Sequence, residues 1–214
     1  MHNLDIIGNK IDSLIFDVDG TLWDSTAVAA AAYNRILEQK GIHLSVRSED
    51  LKRLFGLPMN TIAEKLMPEI NPGLRESIAL EMFDYEKEYI RINGAVVYDG
   101  VHDTIRSLSG KYKLFILSNC QKGYIELMME QIKIQKYITS TLCFGDTGLG
   151  KADNLKILIY NNGLKLPYYV GDTTGDLEAC RMAGVPMIHA RYGFGKKVDS
   201  VAYIDSFSDL LSLA

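Results

Sequence analysis

No apolar run in the 214-residue chain approaches the ~20 residues that a membrane-spanning helix needs. Met1 to Lys10 shows no charged-then-apolar leader pattern either, so the expected location is cytoplasmic, with no membrane partner. Basic charge is in short supply: 23 lysines and arginines against 27 aspartates and glutamates leave a net charge of -4, and no basic stripe is present to hold nucleic acid. The three cysteines, Cys120, Cys143 and Cys180, lack the C-x-x-C pairing of metal or redox sites and are expected as free thiols. Internal repeats, low-complexity tracts and proline-rich linkers are absent. What remains, 47% hydrophobic and 23% charged residues, is the composition of an ordinary soluble globular protein able to bury a sizeable core.

Ser13 to Val18 is a short apolar run that closes on Asp-Gly, the pattern of a buried strand followed by a tight turn. Lys113 to Leu117, Tyr168 to Val170 and Pro186 to Ala190 repeat it. Helical segments fall between them: Val101 to Ser109, Gln121 to Ile132, Asp153 to Asn162 and Gly175 to Ala183. Gly110, Gly163 and Gly184 serve as stop signals. Apolar strands alternating with helices predict a doubly wound α/β domain, a parallel sheet covered on both faces.

From about Asp24 to Asn93 that rhythm breaks into successive helices. Thr26 to Lys40 is alanine-rich, a second helix opens at Ser48 and runs toward Phe55, Thr61 and Glu64 have capping-box spacing, and a long helix starts at Asn71-Pro72. The expected organisation is a core of residues 1–23 and 95–214 with an inserted α-helical module at 24–94, hinged near Leu22 to Ser25 and Asn93 to Tyr98. Charge-rich Asp84 to Arg91 reads as a solvated helix face.

Chemistry concentrates where the predicted strands end, the edge at which open α/β sheets bind ligands. Asp17 and Asp19 are two residues apart on a strand end, share a side, and are followed by Gly20 for the turn. Ser118-Asn119 closes the second core strand with a hydroxyl donor and nearby backbone amides for an anionic oxygen. Lys151 follows the loop Gly145 to Gly150 and offers a compact positive charge. Asp172 and Asp176, in Gly171-Asp-Thr-Thr-Gly-Asp176, supply the oxygen ligands that Mg²⁺ prefers. Each signal is common by itself. Four carboxyls, a serine and a lysine gathered at one sheet edge need a cation or an anionic ligand to balance them.

Phe16-Asp-Val-Asp-Gly-Thr-Leu-Trp-Asp-Ser25, Leu117-Ser-Asn119, Lys151 and Gly171-Asp-Thr-Thr-Gly-Asp176, in that order, resemble the four motifs of the haloacid dehalogenase superfamily. The helical insert resembles the cap that phosphoglycolate phosphatase-like members carry between motifs one and two. The resemblance implies a Rossmann-like core and a Mg²⁺-dependent phosphatase acting on a small phosphorylated metabolite through an aspartyl-phosphate. It makes Asp17 the nucleophile, Asp19 the general acid and base, and Lys151 a catalytic charge. Ser118, Asn119 and Lys151 would bind phosphate. Asp17 and Asp172 would be metal ligands, Asp176 would support the metal directly or through water, and Asp19 would contribute through its backbone carbonyl. Two positions depart from the family pattern: Ala152 follows Lys151 where proline is frequent, and Asp99 precedes Gly100.

A phosphomutase of the beta-phosphoglucomutase type shares all four motifs and remains an alternative, as does a non-enzymatic phospho-accepting domain. The second would need neither Asp19 nor the insert. A dehalogenase has no use for an acid two residues after its nucleophile, so Asp19 turns the reading from attack on carbon to attack on phosphorus. No pair among His2, His43, His102 and His189 has metal-ligand spacing, and none is assigned a role. Arg53 and Gly56 to Asn60 are the expected cap contacts to the leaving group. Trp23, Asp24 and Ser25 either face the substrate or cap the next helix. The expected assembly is a monomer or weak homodimer.

Overall fold

In the computed structural model, which describes Leu4 and residues 11–196, 198–200 and 202–213, alternate residues of each short apolar run belong to different hydrophobic cores. Most of Met1 to Lys10, His2 included, lies outside the described residues. In chain order the elements are β1 (Ser13–Phe16), β2 (Trp23–Asp24), α1 (Thr26–Gln39), α2 (Ser48–Lys52), α3 (Met59–Leu66), α4 (Pro72–Asn93) and β3 (Val96–Val97). There follow α5 (Val101–Leu108), β4 (Lys113–Ser118), α6 (Tyr124–Ile132), β5 (Ser140–Cys143), α7 (Phe144–Thr147) and α8 (Lys151–Asn162). The chain continues with β6 (Pro167–Gly171), α9 (Thr174–Ala183), β7 (Met187–Ala190) and β8 (Ala202–Ile204), then a 3₁₀ segment at Phe207–Leu213.

The main sheet has the order β5-β4-β1-β6-β7-β8, with every pairing parallel. Because side chains alternate along a strand, Leu14, Phe16, Leu114, Ile116 and Val170 join the core under α5, α6 and the 3₁₀ segment. Ile15, Phe115, Leu117 and Tyr169 join the opposite core under α8 and α9. This is the doubly wound α/β sheet the sequence predicts. Strand order turns back at β1, between β4 and β6, so the carboxyl ends of those three strands open onto one crevice.

Helices α1 to α4 enclose a third core, in which Tyr33, Leu37, Leu51, Ile62, Met82 and Phe83 are buried together. Two-residue strands β2 and β3 pair antiparallel at the foot of this helical unit, Trp23 opposite Val97 and Asp24 opposite Val96. The expected hinges are therefore tied to each other.

Several boundaries differ from the sequence reading. The third cap helix begins at Met59 after Pro58, so Thr61 sits inside it and caps nothing. The expected loop Gly145 to Gly150 is partly helical, as α7. Asp84 to Arg91 is not a uniformly solvated face: Glu86 and Ile90 are buried, because on α4 they continue the inward row of Ala79, Met82 and Phe83 at helical spacing. Among the described residues, no helix is long and apolar enough to cross a membrane.

Candidate active site

Asp17 stands one residue past β1, where its backbone N–H donates to the Val170 carbonyl at 2.9 Å and extends the pairing with β6. Gly20 then turns the chain with φ +83°, and a Cβ there would fall 2.2 Å from Oδ2 of Asp172. Only glycine permits this approach. Gly193, after β7, is equally constrained: its Cβ would meet the Gly20 carbonyl oxygen at 2.3 Å and the Asp172 Cβ at 2.4 Å. Two loops are thus held against Asp172.

Lys151 opens α8 and is almost fully buried, its Nζ 2.9 Å from Oδ1 of Asp17 and 2.5 Å from Oδ1 of Asp176. The other oxygen of Asp176, Oδ2, accepts from the Thr173 hydroxyl at 2.7 Å and the Thr173 N–H at 2.9 Å, which is the capping box of α9. Burial pushes the Asp176 carboxyl up, but Lys151 and these hydrogen bonds outweigh it and hold the group below the ordinary range. Asp17, with a longer contact to Lys151, is raised by burial to about 7. Asp172 is raised well above the ordinary range by burial and by Asp176 and Asp17. Its Oδ2 accepts from the Phe194 N–H at 2.6 Å, while its buried Oδ1 has no hydrogen-bond partner among the described residues.

Asp17, Asp172 and Asp176 each present an oxygen within 4.8 Å of the others. Three crowded carboxyls share one ammonium, and the orphaned Asp172 Oδ1 faces a full desolvation cost. An all-oxygen set with one unused acceptor suits a hard divalent cation such as Mg²⁺.

Asp19 lies outside that cluster. Its Oδ1 accepts from the Ser25 hydroxyl at 2.6 Å and the Tyr124 hydroxyl at 2.9 Å. Burial raises the carboxyl to about 6, and these two donors restrain the rise. Ser25 therefore faces the site, whereas Asp24 caps α1 by accepting from the Thr26 N–H at 2.9 Å. Trp23 is buried with its ring edge-on to Tyr124.

Ser118, the last residue of β4, is buried beside Asn119, whose Nδ2 donates to the Gly56 carbonyl at 2.8 Å and ties the core to the cap. Gly56, Leu57 and Met59 line the cavity against Asp19, but Asn60 and Arg53 line other depressions. The expectation that Arg53 contacts the leaving group is corrected: it is exposed and placed elsewhere. Tyr33, Glu86, Gln121 and Tyr124 line the cavity and had no sequence signal. His189 is buried with Nε2 3.2 Å from the Asp172 carbonyl oxygen, beside the site rather than in it. All three cysteines are free thiols.

Comparison with known proteins agrees with this arrangement. The family model described as haloacid dehalogenase-like hydrolase matches residues 14–190. A phosphoglycolate phosphatase of Pseudomonas putida is 26% identical over 94% of this chain and 77% of its own length. One from Salmonella typhimurium is 26% identical over 94% of this chain and 92% of its own. A haloacid dehalogenase-like family hydrolase from Streptococcus pneumoniae shares the fold with a TM-score of 0.81 at 20% identity, covering 95% of this chain and 98% of that one. With the family match spanning most of the sequence and all four motif segments meeting at one sheet edge, the chain belongs to the haloacid dehalogenase-like hydrolase family.

Proposed function

We propose that this hydrolase is a Mg²⁺-dependent phosphatase that cleaves small phosphate monoesters through an aspartyl-phosphate on Asp17. The observation that carries the reading is the separation of two carboxyls only two residues apart into different environments. Asp17 lies with Lys151 and the other aspartates, while Asp19 is held apart from them by the hydroxyls of Ser25 and Tyr124. Carboxyls driven into distinct surroundings are the usual mark of distinct roles.

In this reading an Asp17 carboxylate oxygen attacks phosphorus, the bond from phosphorus to the ester oxygen breaks, and Asp19 protonates the departing alcohol. Asp19 then takes a proton from water as that water attacks phosphorus, which frees Asp17 and releases phosphate. Ser118 and Asn119 hold phosphoryl oxygens, and Lys151 offsets their charge. Asp17, Asp172 and Asp176, with the backbone carbonyl of Asp19, would hold Mg²⁺. When bound, the ion supplies charge neutralisation for the phosphoryl oxygens. The cap–core bond from Asn119 to Gly56 must open for substrate to enter and close to exclude water from the first step.

The curated relatives are named for phosphoglycolate, which supports a small phosphorylated metabolite as substrate. The test is a screen of phosphate esters with and without Mg²⁺, with Asp17→Asn as control. Metal-dependent release of phosphate that disappears in Asp17→Asn is expected. Hydrolysis that survives the substitution removes the mechanism.

A further inference from the structure

The space next to Asp19 is where a departing alcohol must lie, and between core and cap it narrows to a partly open cavity of about 30 Å³. Its walls are largely apolar and aromatic, with Tyr33, Phe55, Phe83 and Tyr124 among them, and its polar groups include Glu86 and Gln121. Among the described residues that line it, none is lysine, arginine or histidine.

The nearby cations are committed elsewhere. Lys151 is held between Asp17 and Asp176. Lys87, next to Glu86 in sequence, is paired with Asp84 at 3.0 Å and reaches the Lys122 carbonyl at 3.4 Å. Arg75 donates to the Met67 and Ile70 carbonyls and lines a separate groove.

Glu86 is almost fully buried, and its Oε2 accepts from the Tyr33 hydroxyl at 2.7 Å and Gln121 Nε2 at 3.4 Å. Among the described residues no group donates to Oε1, which leaves an acceptor at the cavity wall. In 2-phosphoglycolate one methylene separates the ester oxygen from a carboxylate, so that carboxylate would have to enter this space. It would meet the carboxyls of Asp19 and Glu86 in largely apolar surroundings, with no cation among the lining residues to offset it, an uncompensated burial of charge. A hydroxyl or ammonium in the same place would donate to Oε1.

We infer that the preferred substrate is the phosphate ester of a small alcohol that carries no negative charge and directs a hydrogen-bond donor, a hydroxyl or an ammonium, at Glu86. This rests on the phosphatase reading above and specifies its leaving group. Sites built around a buried polar group discriminate strongly against ligands that cannot satisfy it. Glu86 and Tyr33 are therefore specificity residues, and their work falls on the alcohol rather than the phosphate.

The decisive measurement compares kcat/KM of the full chain with Mg²⁺ on glycerol 1-phosphate, phosphoethanolamine and 2-phosphoglycolate. One of the first two should exceed the third by about 100-fold or more, and whichever leads distinguishes hydroxyl from ammonium. Phosphoglycolate turnover equal to or faster than both overturns the inference. Loss of oxygen-18 from labelled inorganic phosphate, which needs the Asp17 and Asp19 chemistry but no alcohol in the cavity, runs alongside. No exchange and no turnover of any ester sinks the phosphatase reading itself, whereas exchange without turnover of a neutral or cationic ester sinks the leaving-group assignment alone. In Glu86→Gln the ratio of the preferred ester to phosphoglycolate, measured within one protein preparation, should fall about tenfold or more. Tyr33→Phe, which keeps the ring, should lower it in the same direction if Glu86→Gln does not fold. A ratio unchanged in both variants places the choice elsewhere and overturns the role given to Glu86.

Discussion

The Nζ of Lys151 lies 2.9 Å from Oδ1 of Asp17, and both side chains are 4% exposed or less. The contact places a fixed positive charge against the proposed nucleophile before any substrate arrives. Lys151→Met keeps the length of the side chain and removes that charge, leaving Asp17 and Asp176 buried without their shared partner. Breaking a buried pair from one side costs about 3–5 kcal/mol. Urea denaturation in the presence of a chelator should show a loss of that order, together with loss of turnover. Stability within about 0.5 kcal/mol of the parent, the range of a neutral surface substitution, would show that the pair is not buried as described.

Asp172 should behave in the opposite sense. Its carboxyl is crowded by Asp176 and Asp17, and its Oδ1 is unpartnered among the described residues. Asp172→Asn therefore relieves repulsion in the metal-free protein while removing a proposed ligand. Without divalent ions the variant should melt higher than the parent, and addition of Mg²⁺ should raise the melting temperature of the parent but not of the variant. A variant that gains as much from Mg²⁺ as the parent takes Asp172 out of the metal site.

Tyr124 and Ser25 reach Asp19 across 105 and 6 positions of sequence. The two hydroxyls orient the proposed acid and base, so they are positioning residues. Asp19→Asn should lower kcat by about 10²–10⁴, the usual worth of a general acid or base. Tyr124→Phe, which keeps the packing against Trp23, should cost about tenfold in kcat with KM little changed. A Tyr124→Phe defect confined to KM would move that hydroxyl from Asp19 to the substrate.

The parts of the site carried by strand ends were readable from the chain. Asp17, Ser118 and Asp172 each follow a run of apolar residues whose burial on both faces forces a parallel sheet, and that architecture puts their side chains at one edge. Edge strands were not readable. Ser140–Cys143 is polar and half-exposed over most of its length, and Ala202–Ile204 is only three residues long. The residues that shape the leaving-group cavity were hidden for a different reason. Tyr33 and Glu86 come from separate helices, 53 positions apart, and Gln121 from a loop of the core. None belongs to a local pattern; their meeting follows from how α1 packs on α4 and how the cap closes. Glu86 was even masked by its charged neighbours, because Asp84, Lys87, Glu88 and Arg91 take the outer side of the helix while every third or fourth residue turns inward.

Glu86 also gives the protein a pH-dependent stability. Burial raises its carboxyl from an ordinary 4.5 to about 8; the Tyr33 and Gln121 hydrogen bonds and the Lys87 charge oppose the rise, and the Asp19 charge adds to it. Between those two pH values the folded chain keeps a proton on Glu86 that the unfolded chain has released. The folded state thus binds more protons, so stability is full below about 4.5 and declines as pH rises toward 8. The slope contributed by this one group is at most about 1.4 kcal/mol per pH unit. Glu86→Gln removes the titration and retains the shape. Urea denaturation of both proteins at pH 5 and pH 8 should show the variant gaining on the parent as pH rises, with the smallest difference at pH 5. Parallel pH profiles would mean that Glu86 is ionised throughout in the folded protein, and its partner would then have to be a cation bound in the cavity.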